Sequence, residues 1–231
     1  MLEIIRDHWL LLLIGQYPEG PLGGLVATLM LAVLGLIFSF PLAVCLALAT
    51  TGSIKPLKKA ADLFIAVLRG VPFIMVIFWS YFVLPKATGM YFDGFTTMVI
   101  ALVVYESTYL AEILRGGIEA LPSGQTEAGR SLGLGYFLRA RKIILPQAIR
   151  NVMPGLITQF ISIIKDTSLA YIISVPELTM AATQVNLQLL TKPVQVFSLL
   201  AISYFVICTL LTALAKRIER RAKYQTSMVG A

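Results

Sequence analysis

The sequence predicts an all-α integral membrane protein with five membrane-spanning helices. Three observations carry that prediction. Of 231 residues, 58% are hydrophobic and only 13% charged, against roughly 25% charged in a soluble domain, and mean hydropathy is +0.83. Five mostly apolar runs each approach the roughly 20 residues a helix needs to cross hydrocarbon about 30 Å thick. The basic residues also alternate between connections as an odd number of crossings requires. A soluble globule, a disordered chain and a coiled coil are excluded, since each needs far more polar surface.

Residues 1–22 read as an N-terminal segment outside the bundle. Met1–Ile14 holds Arg6 and the short apolar run Trp9–Ile14, followed by Gln16, Tyr17, Pro18 and Glu19. A signal peptide would need a longer apolar core and small residues before a cleavage site. An interfacial helix with Trp9 at the headgroups fits better. Residues 23–217 form the transmembrane domain, with spans at 23–49, 63–84, 95–114, 152–173 and 194–215. Residues 20–54 carry no charge, and the fifth span carries none either. Span two contains Arg69 and Pro72, span three Glu106 and Glu112, span four Lys165 and Asp166. Residues 218–231 form a tail. Cys45 and Cys208 sit inside apolar runs, as small packing residues do.

Fourteen of nineteen basic residues fall on one predicted face: Lys55, Lys58 and Lys59 after span one, six more from Arg115 to Arg150 after span three, and five from Lys216 to Lys223 in the tail. Only Arg6, Lys86 and Lys192 fall opposite. The N-terminus is therefore expected outside and the C-terminus in the cytoplasm. The net charge of +7 then reflects topology, and no nucleic-acid partner is implied.

The connection between spans three and four, with a loop at 122–146, is too long for a simple link and too apolar for a loose one. Ser123 is placed to cap a short helix over 124–132, with Gly133 and Gly135 ending it. Its residues carry a specific pattern. Glu127-Ala128-Gly129, three residues, Gly133, nine residues, Ile143, one residue, Leu145-Pro146 resembles the EAA loop of bacterial ABC importer permeases, Glu-Ala-Ala, three residues, Gly, nine residues, Ile-x-Leu-Pro. Gly129 in place of alanine is the one departure, and it loosens a helix by up to roughly 1 kcal/mol.

The likeness extends to Gly24–Thr28, Arg69-Gly70-Val71-Pro72, Glu106–Ile118 and Lys165-Asp166-Thr167-Ser168-Leu169. All are similar to the polar amino acid permease subfamily, of glutamate/aspartate and histidine type. The resemblance implies an ABC type I importer permease fold in the bacterial inner membrane. It also implies a second, similar or identical permease, two cytoplasmic ATPase subunits and a periplasmic amino-acid-binding protein. ATP and Mg are then used by the ATPase, and this chain binds no cofactor. Glu127, Ala128, Gly129 and Gly133 match the coupling helix, with Ile143, Leu145 and Pro146 its return to the membrane.

Charges in hydrocarbon are costly, so they face an interior, a water path or a partner. Counted at 1.5 Å per residue, Arg69 lies about 18 Å along span two and Asp166 about 21 Å along span four, both near mid-membrane. Gly70 and Pro72 mark a helix break, and broken helices line substrate sites in many transporters. Thr158, Ser162 and Lys165, with Gln159, Ser162 and Asp166, make one side of span four polar. Arg69, Glu106, Ser162, Lys165, Asp166, Thr167 and Ser168 are accordingly candidates for the substrate path. Arg69–Asp166, Lys165–Asp166 or Glu106–Arg69 as structural ion pairs is the alternative. Arg69 and Lys165 together would suit an acidic amino acid. Glu112, Arg115 and Glu119 have the spacing of ion pairs along a helix.

The chain has no GxxxxGK[ST] phosphate loop, and lone His8 cannot build a metal site. No nucleophile–base pair stands out, so ATP hydrolysis belongs to a partner. An ion-gradient-driven transporter or channel competes through the charged spans, but it leaves the EAA pattern unexplained. A membrane-embedded enzyme using Asp166 or Glu106 lacks a second catalytic group.

Overall fold

The computed structural model describes residues 2–229, with side chains placed over 3–217. Met1 and the side chains of Arg220, Arg221 and Lys223 lie outside the described residues. The described chain forms α1 (Leu2–Ile14), α2 (Gly24–Thr51) and α3 (Lys55–Arg69). It continues through α4 (Phe73–Thr88), α5 (Gly94–Glu119) and α6 (Ser123–Ser131). It ends with α7 (Tyr136–Ile173), α8 (Leu178–Leu189) and α9 (Pro193–Val229). Helices α2, α5, α7 and the Pro193–Arg217 part of α9 are long and apolar enough to cross a membrane, and the bent pair α3–α4 makes the fifth candidate.

That pair corrects the expected span at 63–84. The crossing begins at Lys55, so Lys55, Lys58 and Lys59 lie on the first turns of a helix rather than in a loop. It bends by 105° between Arg69 and Phe73. Pro72 has no N–H to give and disfavours helical backbone at Val71, which breaks the ladder. Gly70 contributes no special freedom, because its φ of −80° is open to any residue. Proline also explains two wide turns. The π-turns Trp79–Val83 and Ala140–Ile144 directly precede Leu84-Pro85 and Leu145-Pro146, where the missing N–H leaves a carbonyl unpaired.

The packing centre is α2 against α5. Leu31, Ala32, Met98, Ala101 and Leu102 are buried there with Val76 and Ile77 of α4 and Ile163 and Ile164 of α7. Small residues set the approach, as in membrane helix pairs generally. A Cβ on Gly35 would sit 3.3 Å from Leu102 Cβ, and one on Gly117 only 2.5 Å from Val152 Cγ1 and 3.0 Å from the Ala148 carbonyl oxygen of α7. Toward the basic end, Ala43, Ala47, Ile65, Leu110 and Leu114 close a second cluster.

The N-terminal segment is a helix, as expected, with Trp9 facing outward. It is also held by protein, since Ile4 packs with Ala182, Val185 and Val196. Helix α8 was not anticipated. Its buried Leu178, Ala181, Ala182 and Val185 fall at i, i+3, i+4 and i+7, a helical stripe that was readable in the sequence. The short helix at 124–132 is present as α6, but Ser123 makes no cap hydrogen bond. Gly133 alone ends it, at φ +69°, with its N–H donating to Arg130 O and the Leu134 N–H to Gly129 O. This is the paired bonding of a left-handed glycine stop. Gly135, at φ −61°, begins α7 instead. Span four likewise starts at Tyr136 rather than Val152, so Ile143, Leu145 and Pro146 already lie within its helix.

Candidate functional site

Helix α5 carries Glu106 into the middle of the bundle, where it is 0% exposed. Its Oε2 accepts from Gln159 Nε2 of α7 at 2.7 Å. Its Oε1 is buried without a hydrogen-bond partner. Two turns further along α7 stands the half-buried Asp166, whose carboxyl neighbours Glu106. Among the described residues no Lys or Arg forms an ion pair with either carboxyl. A buried acid without a cation is costly, so such groups face an interior, a water path or a partner. After Asp166 the helix tightens to 3₁₀ geometry over Thr167–Ile173, a narrowing that fits a functional break.

The other path candidates separate. Arg69 pairs with neither Glu106 nor Asp166. Its Nη1 lies 3.4 Å from Glu112 Oε2, and its guanidinium stacks 5.1 Å from the Tyr109 ring. The reason is depth: Arg69 ends α3 near Glu112, six residues nearer the basic end of α5 than Glu106. Glu112 also holds Arg115 through two contacts at 2.7 and 3.0 Å, and Arg115 reaches Glu119 at 3.1 Å, the helical ion pairing the spacing predicted. Lys165 is exposed and makes no ion pair among the described residues. Thr167 is buried and its hydroxyl donates to Ile164 O at 2.7 Å. Ser162 and Ser168 are half-buried on the same helix.

An aromatic ladder was missed. Phe73 stacks on Tyr105 at 4.6 Å, and Tyr105 Oη lies 3.0 Å from Tyr109 Oη. It joins the helix break to the carboxyl pair. The i, i+4 spacing of Tyr105 and Tyr109 around Glu106 was the available signal.

The EAA-like segment forms a second constellation. Glu127 and Ala128 are exposed, while Gly129 is buried. A Cβ on Gly129 would lie 2.7 Å from Arg139 Cδ and 3.2 Å from Ile143 Cδ1. The glycine therefore makes room for α7 to lie on α6, a contact that offsets its weaker helix propensity. Tyr136 Oη donates to Leu48 O at 2.8 Å, and Gln147 Nε2 donates to Gln125 Oε1 at 3.1 Å. The short helix is thus tied to α7, and the start of α7 to α2.

A third polar site lies at the opposite end and was not foreseen. Glu177 is fully buried and caps α8, accepting from the N–H groups of Thr179 at 2.8 Å and Met180 at 3.0 Å and from Tyr204 Oη at 3.1 Å. Close by, Leu178 N–H donates to Thr28 Oγ1, and Gly24 N–H to Pro176 O. The knot joins α2, α8 and α9. Burial pushes the Glu177 carboxyl up to about 7, partly offset by its backbone donors. A raised folded-state value means its stabilising contribution is full below the ordinary value of 4.5 and lost as pH rises through about 7. Glu177→Gln is expected to remove that slope, read as a flatter dependence of melting temperature on pH across this window. Among the described residues no cluster of three or more His, Cys, Asp or Glu is placed to hold a metal.

Comparison with known proteins gives concordant results. The family described as "Binding-protein-dependent transport system inner membrane component" matches residues 39–224. The inner membrane amino-acid ABC transporter permease protein YhdY of Escherichia coli strain K12 is 34% identical over 86% of this chain, which spans 55% of that relative's length. The glutamine transport system permease protein GlnP of the same strain is 35% identical, with 87% of this chain and 91% of that one covered. The crystal structure of an amino acid ABC transporter with histidines superposes with a TM-score of 0.76 at 34% identity, covering 86% of this chain and 92% of that one.

Proposed function

This chain belongs to the family of binding-protein-dependent transport system inner membrane components, and on that premise we propose that it is the permease subunit of an ATP-binding cassette importer for a polar amino acid. A second permease, similar or identical, completes the path. Two cytoplasmic ATPase subunits hydrolyse ATP with Mg, and a periplasmic binding protein delivers the cargo. The N-terminus lies outside and the basic end faces the cytoplasm, following the Lys and Arg distribution.

The observation that carries the cargo assignment is the Glu106 carboxylate, fully buried, held by Gln159 and without a cation. An amino acid's α-ammonium group supplies the missing charge and a donor for the unpartnered Oε1. Asp166 and the aromatic wall of Tyr105 and Phe73 flank it. Two carboxyls with Arg69 taken up by Glu112 favour a neutral or basic side chain. The acidic reading, glutamate or aspartate, rests on Lys165 alone, which would meet a side-chain carboxylate. Competition for uptake in proteoliposomes separates them: displacement by glutamine or arginine but not aspartate supports the first, and the converse supports the second.

Coupling runs through α6. ATP draws the two ATPases together, a rigid helix seated on each moves with it, and the spans shift population between inward- and outward-open states. Glu127 and Ala128 form the free face of that helix, and Gly133 fixes its stop. Gly133→Val places a β-branched residue at φ +69°, costing of order 1–3 kcal/mol and misdirecting the helix. It is expected to abolish ATP-driven uptake while substrate binding survives. Glu127→Lys is expected to act likewise, with reduced co-purification of the ATPase. Normal uptake in both variants would reject the docking role.

A further inference from the structure

Behind α6 lies a fourth constellation that neither the cargo path nor the docking face uses. A cavity of about 250 Å³ opens between α6, the start of α7 and the ends of α2 and α5. Its polar wall holds Arg130, Arg139, Tyr136 and the hydroxyl residues Thr51, Ser53 and Thr126, and its other wall is apolar, with Leu48 and Ile118. No Asp or Glu lines it.

Arg139 decides its chemistry. This residue is 9% exposed, yet it forms no ion pair among the described residues. It donates one hydrogen bond, from Nη1 to Leu134 O at 3.2 Å, and lies over the Tyr136 ring at 5.9 Å. A guanidinium has five N–H donors in a planar fork, so most of this one's capacity is unspent. Arg130 adds a second guanidinium. Thr126 and Arg130, one helical turn apart, line the cavity, while Glu127 and Ala128 are exposed outside it.

We propose that this cavity binds a phosphate-bearing anion between the two guanidiniums. Arginine forks match phosphate oxygens in geometry and charge. The cavity sits where the uncharged α2 ends at Thr51 and the lysines of α3 begin, the level of lipid headgroups. The apolar wall suits the glycerol and first methylenes of an anionic lipid, and a free phosphate satisfies the same forks. The bound anion bridges α6 to the end of α2, joining the short helix to the first span.

Native mass spectrometry of the whole detergent-purified transporter tests this. The protein is titrated with dioleoylphosphatidylglycerol and, in a separate arm, inorganic phosphate followed by thermal shift. Saturable retention of one added anion per copy is expected. Arg130→Gln should raise the half-saturating concentration about tenfold, while Lys142→Gln, an exposed basic residue outside the cavity, should leave it unchanged. Binding of the lipid but not phosphate identifies a headgroup site, and the reverse a free-anion site. Saturation by neither, or equal losses in Arg130→Gln and Lys142→Gln, overturns the proposal. Arg130 is exposed, so its variant does not put the fold at risk.

Discussion

Glu106→Gln in the reconstituted transporter is expected to lower amino-acid uptake by about 10- to 100-fold while leaving the complex assembled. The magnitude follows from a charge-assisted hydrogen bond, about 1.5–3 kcal/mol. Stability should move the other way. Glu106 is a fully buried acid beside Asp166 that pairs with no Lys or Arg among the described residues, and the amide removes an uncompensated carboxylate from hydrocarbon. Raised melting temperature with lost uptake distinguishes a cargo site from a structural one. Glu112→Gln is the control. Its pairs with Arg69 and Arg115 are partly exposed, and such pairs contribute about 0–1 kcal/mol. Uptake in that variant should stay within a few-fold of wild type. Full uptake in Glu106→Gln would remove this residue from the path.

Gly117→Leu is expected to prevent assembly of a stable subunit. The added Cβ alone would fall 2.5 Å from Val152 Cγ1 and 3.0 Å from the Ala148 carbonyl oxygen. The valine can turn, but the carbonyl is fixed in the α7 ladder, so α5 and α7 must part. Overpacking costs about 1–3 kcal/mol where a core can adjust, and a whole leucine at a helix crossing lies at or above the top of that range. The adjacent residue gives a sharp control, because a Cβ at Gly116 meets nothing within 4 Å. Gly116→Leu should be neutral or gain up to about 1 kcal/mol from helix propensity. Fluorescence-detected size-exclusion profiles and melting temperatures check both. Similar profiles for the two variants would show that the crossing is not held by glycine.

The sequence by itself determined the class of fold and its long crossings. Apolar length dictates α2, α5 and the Pro193–Arg217 part of α9, because an unpaired backbone in hydrocarbon must satisfy itself as a helix. Proline at position 72 likewise dictated a break, since its missing N–H acts through local covalent geometry. The motif Glu127-Ala128-Gly129 with Gly133 was readable for a similar reason: a left-handed stop is a one-residue property. Other features depended on which helices meet. The 105° bend and the start of the broken crossing at Lys55 needed α3 to find its place against α2 and α5. Arg69 looked free to pair with Glu106 or Asp166, but depth along α5 gave it to Glu112. Gly129 looked like a loss of helix strength until Arg139 and Ile143 filled the space beside it. Glu106, Gln159 and Asp166 are 53 and 60 positions apart at their widest in the chain, and only the packing of α5 on α7 makes them one site. Local backbone chemistry and transfer into hydrocarbon are written residue by residue. Charge partners and close approaches are set by distances between helices, and those exist only once the bundle has formed.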